Sequence, residues 1–263
     1  MSAQLLIVMS DLHCGSKVGL SHPEAKQDSG NTIGHGDNLC QIWLWENWMR
    51  LRDGVADYCA GDEAIALLNG DATEGIHHRT TEVTAATIHE HAQNALQCLE
   101  DWRGLASRWL VTMGTECHTH AIEKDIAKEL GSEARDKWLF RVNGCLIDAA
   151  HHVGTTKRSY LEGSAFGIEM GNARVNYARC NQEVPKVFLR GHRHCHGWFS
   201  DGHGAMGITG AWQFLTRHGK KVVTDSIPRP SILVLDWRGC KPGELPIAKE
   251  FVATPPQDEI SNF

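Results

Sequence analysis

The residues of this chain that could do chemistry stand at five places, each directly after a short apolar run. Asp11-Leu12-His13 follows QLLIVMS (4–10), and Gly70-Asp71, with Glu74 three residues on, follows AIALL (64–68). Gly114-Thr115-Glu116-Cys117-His118 follows RWLVTM (108–113), His151-His152 follows CLIDAA (145–150), and Gly191-His192-Arg193-His194 follows KVFLR (186–190). Ligands of open α/β sheets bind where the carboxyl ends of strands open into loops, so five strand ends would bring Asp, Glu and His to one rim. Mixed imidazole and carboxylate donors suit Mn, Fe, Zn or Ni better than Ca or Mg alone. Taken singly, a D-x-H or a Gly-Asp is an ordinary turn. Five such sets in order, after five strands, indicate a metal site.

The elements that must hold these residues follow from the pattern. Apolar runs at 4–10, 64–68, 108–113, 186–190 and 231–236 read as buried strands. Residues 138–142 and 145–150 form a hairpin around Asn143-Gly144. Helices are expected over 39–51, from a cap at Thr81 or Thr84 to about Trp102, over 121–130 and over 163–180. Residues 11–37 read as a long functional loop. Strands alternating with helices, then a β-rich second half, give an α/β layered fold. We expect one domain over 1–253, with a loop and helix inserted at about 14–53, and a loose tail over 254–263.

Composition narrows the function classes. Of 263 residues, 41% are hydrophobic and 22% charged, which excludes disordered and fibrous chains. No apolar run approaches the ~18 residues of a membrane helix, and no basic-then-apolar leader opens the sequence. A soluble, cytoplasmic protein is expected. The 26 Lys and Arg against 32 Asp and Glu leave a net charge of −6, without the basic excess of a general nucleic-acid binder. The nine Cys include no CxxC pair, so reduced thiols that pack are expected, including Cys14, Cys117 and Cys195 beside the motifs. Trp43, Trp45 and Trp48 read as the packing face of the first helix. The 16 His are the outlier.

The ordered set resembles the calcineurin-like metallophosphoesterases, whose motifs D-x-H, G-D-x-x-D, G-N-H-[DE], a lone His and G-H-x-H occur in that order. It covers Asp11 to His194. The resemblance implies a four-layer α-β-β-α double sandwich of mixed sheets. It also implies two divalent ions, Mn foremost, with Fe, Zn, Ni or Mg as alternatives. One ion would be held by Asp11, His13, Asp71 and His194. Asp71 would be shared with a second, held also by His151, His192 and a residue of the third motif. That motif departs from the family: Thr115 and Glu116 stand where Asn and the catalytic His would be. Glu116 is taken as the ligand and His118 as the catalytic imidazole, with Thr115 as the other ligand reading and His120 as the other imidazole. His151 is preferred to His152 as ligand, and His152 and Arg79 are taken as substrate contacts.

The activity implied is metal-dependent hydrolysis of a phosphomonoester or phosphodiester, by in-line attack of an activated water. A phosphorylated small molecule or nucleotide is the favoured substrate, and a nuclease is an alternative within the class. Outside it stands a metal-binding scaffold of the same fold that acts through partners.

Overall fold

Side-chain alternation decides how the layers stack. The computed structural model describes residues 3–77, 80–119, 122–154, 162–222 and 227–256. In chain order its elements begin with β1 (Leu5–Met9), β2 (Ala25–Lys26), β3 (Thr32–Ile33), α1 (Leu39–Cys59), β4 (Ala64–Asn69), α2 (Ile88–Glu100) and β5 (Arg108–Thr112). Next come α3 (Glu116–Thr119), α4 (Glu123–Glu129), β6 (Ala134–Arg135), β7 (Lys137–Val142), β8 (Cys145–Ala150), α5 (Glu162–Arg179) and β9 (Val187–Arg190). The last are β10 (Gly197–Ser200), β11 (Ala205–Ile208), α6 (Arg217–Val222), β12 (Ser231–Asp236) and β13 (Ile247–Val252).

Two mixed sheets result. One has the order β13-β12-β1-β4-β5-β6, with β1, β4, β5 and β6 parallel, and the other β10-β11-β9-β8-β7. On β1, Leu5, Ile7 and Met9 face the cluster that holds Leu44, Trp48 and Val55 of α1 and Ala95 and Leu99 of α2. Leu6 and Val8 face the opposite way, into a cluster with Ile147 and Ala149 of β8 and Val187 and Leu189 of β9. Phe188 of β9, between those two, turns to Phe166, Met170 and Tyr177 of α5. Period-two side chains on strands apolar throughout thus bury both faces of each sheet. Helices lie outside and the sheets face one another, the fold class expected. No helix among the described residues is long and apolar enough to cross a membrane.

The differences from the sequence reading have local causes. Helix α1 runs on to Cys59 because Val55 and Cys59 extend its buried stripe, and Ala60 ends it in the left-handed conformation (φ 51°). Helix α2 starts at Ile88, capped by a reciprocal Thr87–Glu90 box, and not at Thr81 or Thr84. The Thr84 N–H is already committed to the Gly15 carbonyl (2.8 Å). The loop after β1 carries the β2–β3 hairpin, tied to α2 by His22 N–H to Asn94 Oδ1 (2.8 Å) and Lys26 N–H to Gln97 Oε1 (2.9 Å). Trp48 is buried against Trp102 and Trp212, with Trp43 and Trp45 partly buried on the same cluster. The Asn143-Gly144 turn has φ of 46° and 75°.

Candidate metal centre

The ends of β1, β4 and β5 in one sheet, and of β8 and β9 in the other, converge. The backbone bends sharply after β1, β4 and β9. Asp11, His13, Asp71, His192 and His194 all have positive φ, between 48° and 68°. That region is sparsely populated by residues with a Cβ, and such strain gathers at functional sites. Two glycines permit the close approach. A Cβ on Gly70 (φ 81°) would meet His151 Nδ1 at 2.5 Å, and one on Gly114 would meet Asp71 Oδ1 at 2.2 Å.

Two groups of donor atoms result. In the first, His13 Nε2 faces His194 Nε2 at 3.1 Å, and Asp11 Oδ1 lies 4.0 Å and 3.6 Å from those nitrogens. In the second, Asp71 Oδ2 lies 3.0 Å from His151 Nε2 and 3.1 Å from Thr115 Oγ1. Thr115 Oγ1 is in turn 3.1 Å from His192 Nδ1 and 3.5 Å from His151 Nε2. Asp11 Oδ1 lies 3.9 Å from His151 Nε2 and joins the two groups.

The hydrogen-bond partners fix what these atoms can be. His151 Nδ1 donates to the Asn69 carbonyl (2.7 Å), which leaves Nε2 as a lone pair aimed at a carboxylate unless a cation intervenes. His13 Nδ1 lies 3.0 Å from Glu74 Oε2, so its Nε2 is likewise the atom presented to His194. In the metal-free chain, protons take the cation's place. Burial opposes charge on His151, but Asp11 and Asp71 outweigh it and raise the imidazole to about 10. Burial would raise Asp71, yet the hydrogen bond to His151 and its charge hold that carboxyl far below the usual range. Burial pushes His192 down to about 4, with the positive His151 adding to it.

A pH dependence follows. The folded pKa of His151 lies above its ordinary 6.5, so its contribution to stability is complete below pH 6.5 and lost as pH rises through 10. Glu123, raised to about 8 from 4.5 by burial and by Asp71, acts in the same direction: the unfolded chain ionises first. Chelator-stripped protein should therefore melt at falling temperatures from pH 6 to 10, and saturating Mn²⁺ should flatten the slope. A melting temperature of the stripped protein that held constant or rose would contradict this.

Each expected site residue has a definite place. Asp11, His13, Asp71, His151, His192 and His194 converge as described. Glu116 does not join them. It is exposed at the start of α3, and the third-motif side chains that reach the converging groups are Thr115, at Asp71, and His118, beside His13 and Glu74. His118 does approach. Its Nδ1 donates to the Glu74 carbonyl (2.7 Å), and its ring stands edge-on to His13 at 4.8 Å. Burial, with His13 beside it, lowers its pKa. His152 is exposed, with ring centres 5.1 Å from His151 and 4.9 Å from His192. Arg79 and His120 lie outside the described residues. His196 turns away to pair with Glu250 (2.9 Å). No Cys is found in the clusters of liganding atoms among the described residues.

Several supporting residues carry no motif. Gln213 Nε2 donates to Glu74 Oε2 (2.6 Å) and to Ser16 Oγ (3.1 Å), and Ser10 Oγ bridges Asp11 to Thr209. Glu74 is 3% exposed, with Oε2 3.0 Å from His13 Nδ1 and Oε1 accepting from His77 Nε2 (3.2 Å). The signal for Glu123 was in the sequence: with Ile126 and Ala127 it occupies positions i, i+3 and i+4, so a carboxyl lies on the apolar stripe of α4.

No protein-family profile and no curated protein matches the sequence. Among solved structures, the chain is similar to an archaeal phosphodiesterase at 11% identity, covering 95% of this chain and 99% of that one, with a TM-score of 0.45. Vps29 from Entamoeba histolytica in complex with Zn²⁺ aligns at 13% identity over 95% and 98% of the two chains, TM-score 0.43. A predicted phosphoesterase from Streptococcus pneumoniae aligns at 16% over 96% and 99%, TM-score 0.38. The roles given below rest on the side chains of this chain.

Proposed function

We propose that this chain, whose ordered motifs resemble those of the calcineurin-like metallophosphoesterases, is a metal-dependent phosphoester hydrolase that takes two divalent cations. One observation carries the reading: Asp71 Oδ2, His151 Nε2 and Thr115 Oγ1 stand 3.0–3.5 Å from one another, with His192 Nδ1 3.1 Å from Thr115 Oγ1. Donors ~2.1 Å from a common centre are about 3.0–3.4 Å from one another, so this set fits a first-row cation. The first group, Asp11, His13 and His194, fits a second more loosely. Charge agrees. Asp11, Asp71 and Glu123 are at most 1% exposed, burial raises the Asp11 and Glu123 carboxyls, and cations beside them would offset the cost of ionising both.

Ions bound there would lower the pKa of a water and offset charge on the phosphate oxygens. The chain's own residues do the rest. Asp71, grouped with Asp11 and His151, would set the spacing of the two ions. Glu74, itself held by Gln213, fixes the His13 ring so that Nε2 faces the centre. His118, its Nδ1 anchored on the Glu74 carbonyl, offers Nε2 to the departing alkoxide as a proton carrier or hydrogen-bond donor. His152 lies at the open side, where a substrate would enter. A phosphorylated small molecule or nucleotide is the favoured substrate, and Mn²⁺ the first metal to try.

The test is hydrolysis of p-nitrophenyl phosphate and its bis-ester by chelator-stripped protein, with Mn²⁺, Mg²⁺, Ni²⁺ or Zn²⁺ restored. Metal-dependent turnover is expected, with the better ester giving monoesterase or diesterase. Protein that binds two ions yet turns over neither ester, nor a panel of nucleotides and oligonucleotides, would count for the scaffold. Protein that binds none would sink the reading altogether.

A further inference from the structure

We infer that Glu123 is a positioning residue for Asp71 and Thr115, and through them for cation affinity, an inference that rests on the metal-site reading above. Glu123 begins α4 and is 0% exposed. Its Oε2 accepts the Gly114 N–H (2.5 Å), and its Oε1 accepts the Ala72 N–H (3.3 Å). Those two amides belong to the residue before Thr115 and the residue after Asp71. One carboxylate therefore ties together the turns that end β4 and β5.

The other side of the loop is closed by Asp71 itself. Its Oδ1 accepts the Thr115 N–H (2.6 Å) and its Oδ2 the Thr115 hydroxyl (3.1 Å). The path Glu123–Gly114–Thr115–Asp71–Ala72–Glu123 is a closed ring of covalent and hydrogen bonds. Within it Gly114 has no room to move, since even a Cβ there would strike the Asp71 carboxylate and amide at 2.2 and 2.3 Å. Two strand-end turns, the one after β4 with positive φ at Gly70 and Asp71, are thus locked in register by one side chain behind them. Two carboxylates also face these turns from opposite sides, Asp71 towards the donor atoms and Glu123 from behind. A cation among the donors lowers the cost of keeping both ionised, and the second carboxylate strengthens cation binding in return.

A group that orients a ligand from behind typically changes metal affinity or activity by ~10–100-fold. Glu123→Gln keeps the shape, removes the charge and replaces one acceptor by a donor that opposes a backbone N–H. Glu123→Asp keeps the charge but falls one methylene short of both amides. The experiment is a Mn²⁺ titration, by calorimetry or electron paramagnetic resonance, of stripped wild-type, E123Q and E123D protein, with melting curves of the metal-free forms. Wild type is expected to bind two ions. E123Q should raise the dissociation constant of at least one of them ~10-fold or more and lower kcat more than it changes KM, with E123D intermediate. Wild type that binds no Mn²⁺ would defeat the metal-site reading and this inference with it, whereas the next outcome defeats this inference alone. A lower melting temperature for folded E123Q with both affinities unchanged would reduce Glu123 to a packing role and overturn the inference. Should E123Q not fold, the same comparison on E123D decides it.

Discussion

Asp71→Asn is expected to lower metal-dependent turnover by at least ~1,000-fold while leaving a folded chain. The substitution keeps the size of the side chain but exchanges one anionic oxygen for an amide donor. Asp71 accepts the Thr115 N–H and hydroxyl on its two oxygens, and Oδ2 also meets His151 Nε2. An NH₂ in either place opposes a donor or occupies a lone pair needed elsewhere. The anion of the second donor group is then lost, and with it one negative charge 3.0 Å from His151. Losing ~4 kcal/mol of stabilisation in the transition state is a factor of ~1,000. The check is kcat on the bis-ester with saturating Mn²⁺, together with ion stoichiometry. Turnover within tenfold of wild type would remove Asp71 from the centre of the mechanism.

The second large effect is expected at His118, and it should depend on the leaving group. His118 Nδ1 is committed to the Glu74 carbonyl, so only Nε2 can reach the substrate, and burial with the adjacent His13 keeps the ring neutral in the metal-free chain. An anionic phosphate beside it would draw the pKa upward and allow it to pass a proton to the departing oxygen. General acid help is worth ~100–10,000-fold, and most where the leaving alkoxide is strongly basic. His118→Ala should therefore cost that much with an alkyl phosphoester and far less with a p-nitrophenyl ester. A uniform loss across both esters, with weaker Mn²⁺ binding, would instead make His118 a ligand.

The strand ends were legible because buried parallel strands are apolar throughout and stop at a polar residue. That signal put Asp11, Asp71 and the histidines of the last two motifs directly after strands, and the structure brings Asp11, Asp71, His151, His192 and His194 into candidate clusters. The third motif was harder to read. Motif spacing favoured Glu116, but the chain turns into helix at Glu116, and at a helix start one position changes a side chain's direction by about 100°. Thr115, the last residue before the turn, faces Asp71, while Glu116 takes an exposed place in the first helical turn, where a carboxylate is favourable. Gln213 and Thr209 were out of reach for a different reason. They act through single hydrogen bonds to residues far along the chain, such as Gln213 to Glu74 across 139 positions, and no local pattern encodes such a bond. The start of α2 was missed because Thr84 is claimed by Gly15 in the loop after β1, again a distant partner.

The donor atoms are divided between the two sheets, and this has a consequence for how the chain comes together. Asp11, His13, Asp71 and Thr115 follow strands of the six-stranded sheet, while His151, His192 and His194 follow strands of the other. His13 and His194 meet across 181 positions. Neither sheet alone can assemble the cation's coordination sphere, so the centre matures only after both have formed and docked. Contacts made that late are absent from the folding barrier and act on the return path. The ions would then serve as a clasp, leaving the speed of folding unchanged and slowing the parting of the two sheets.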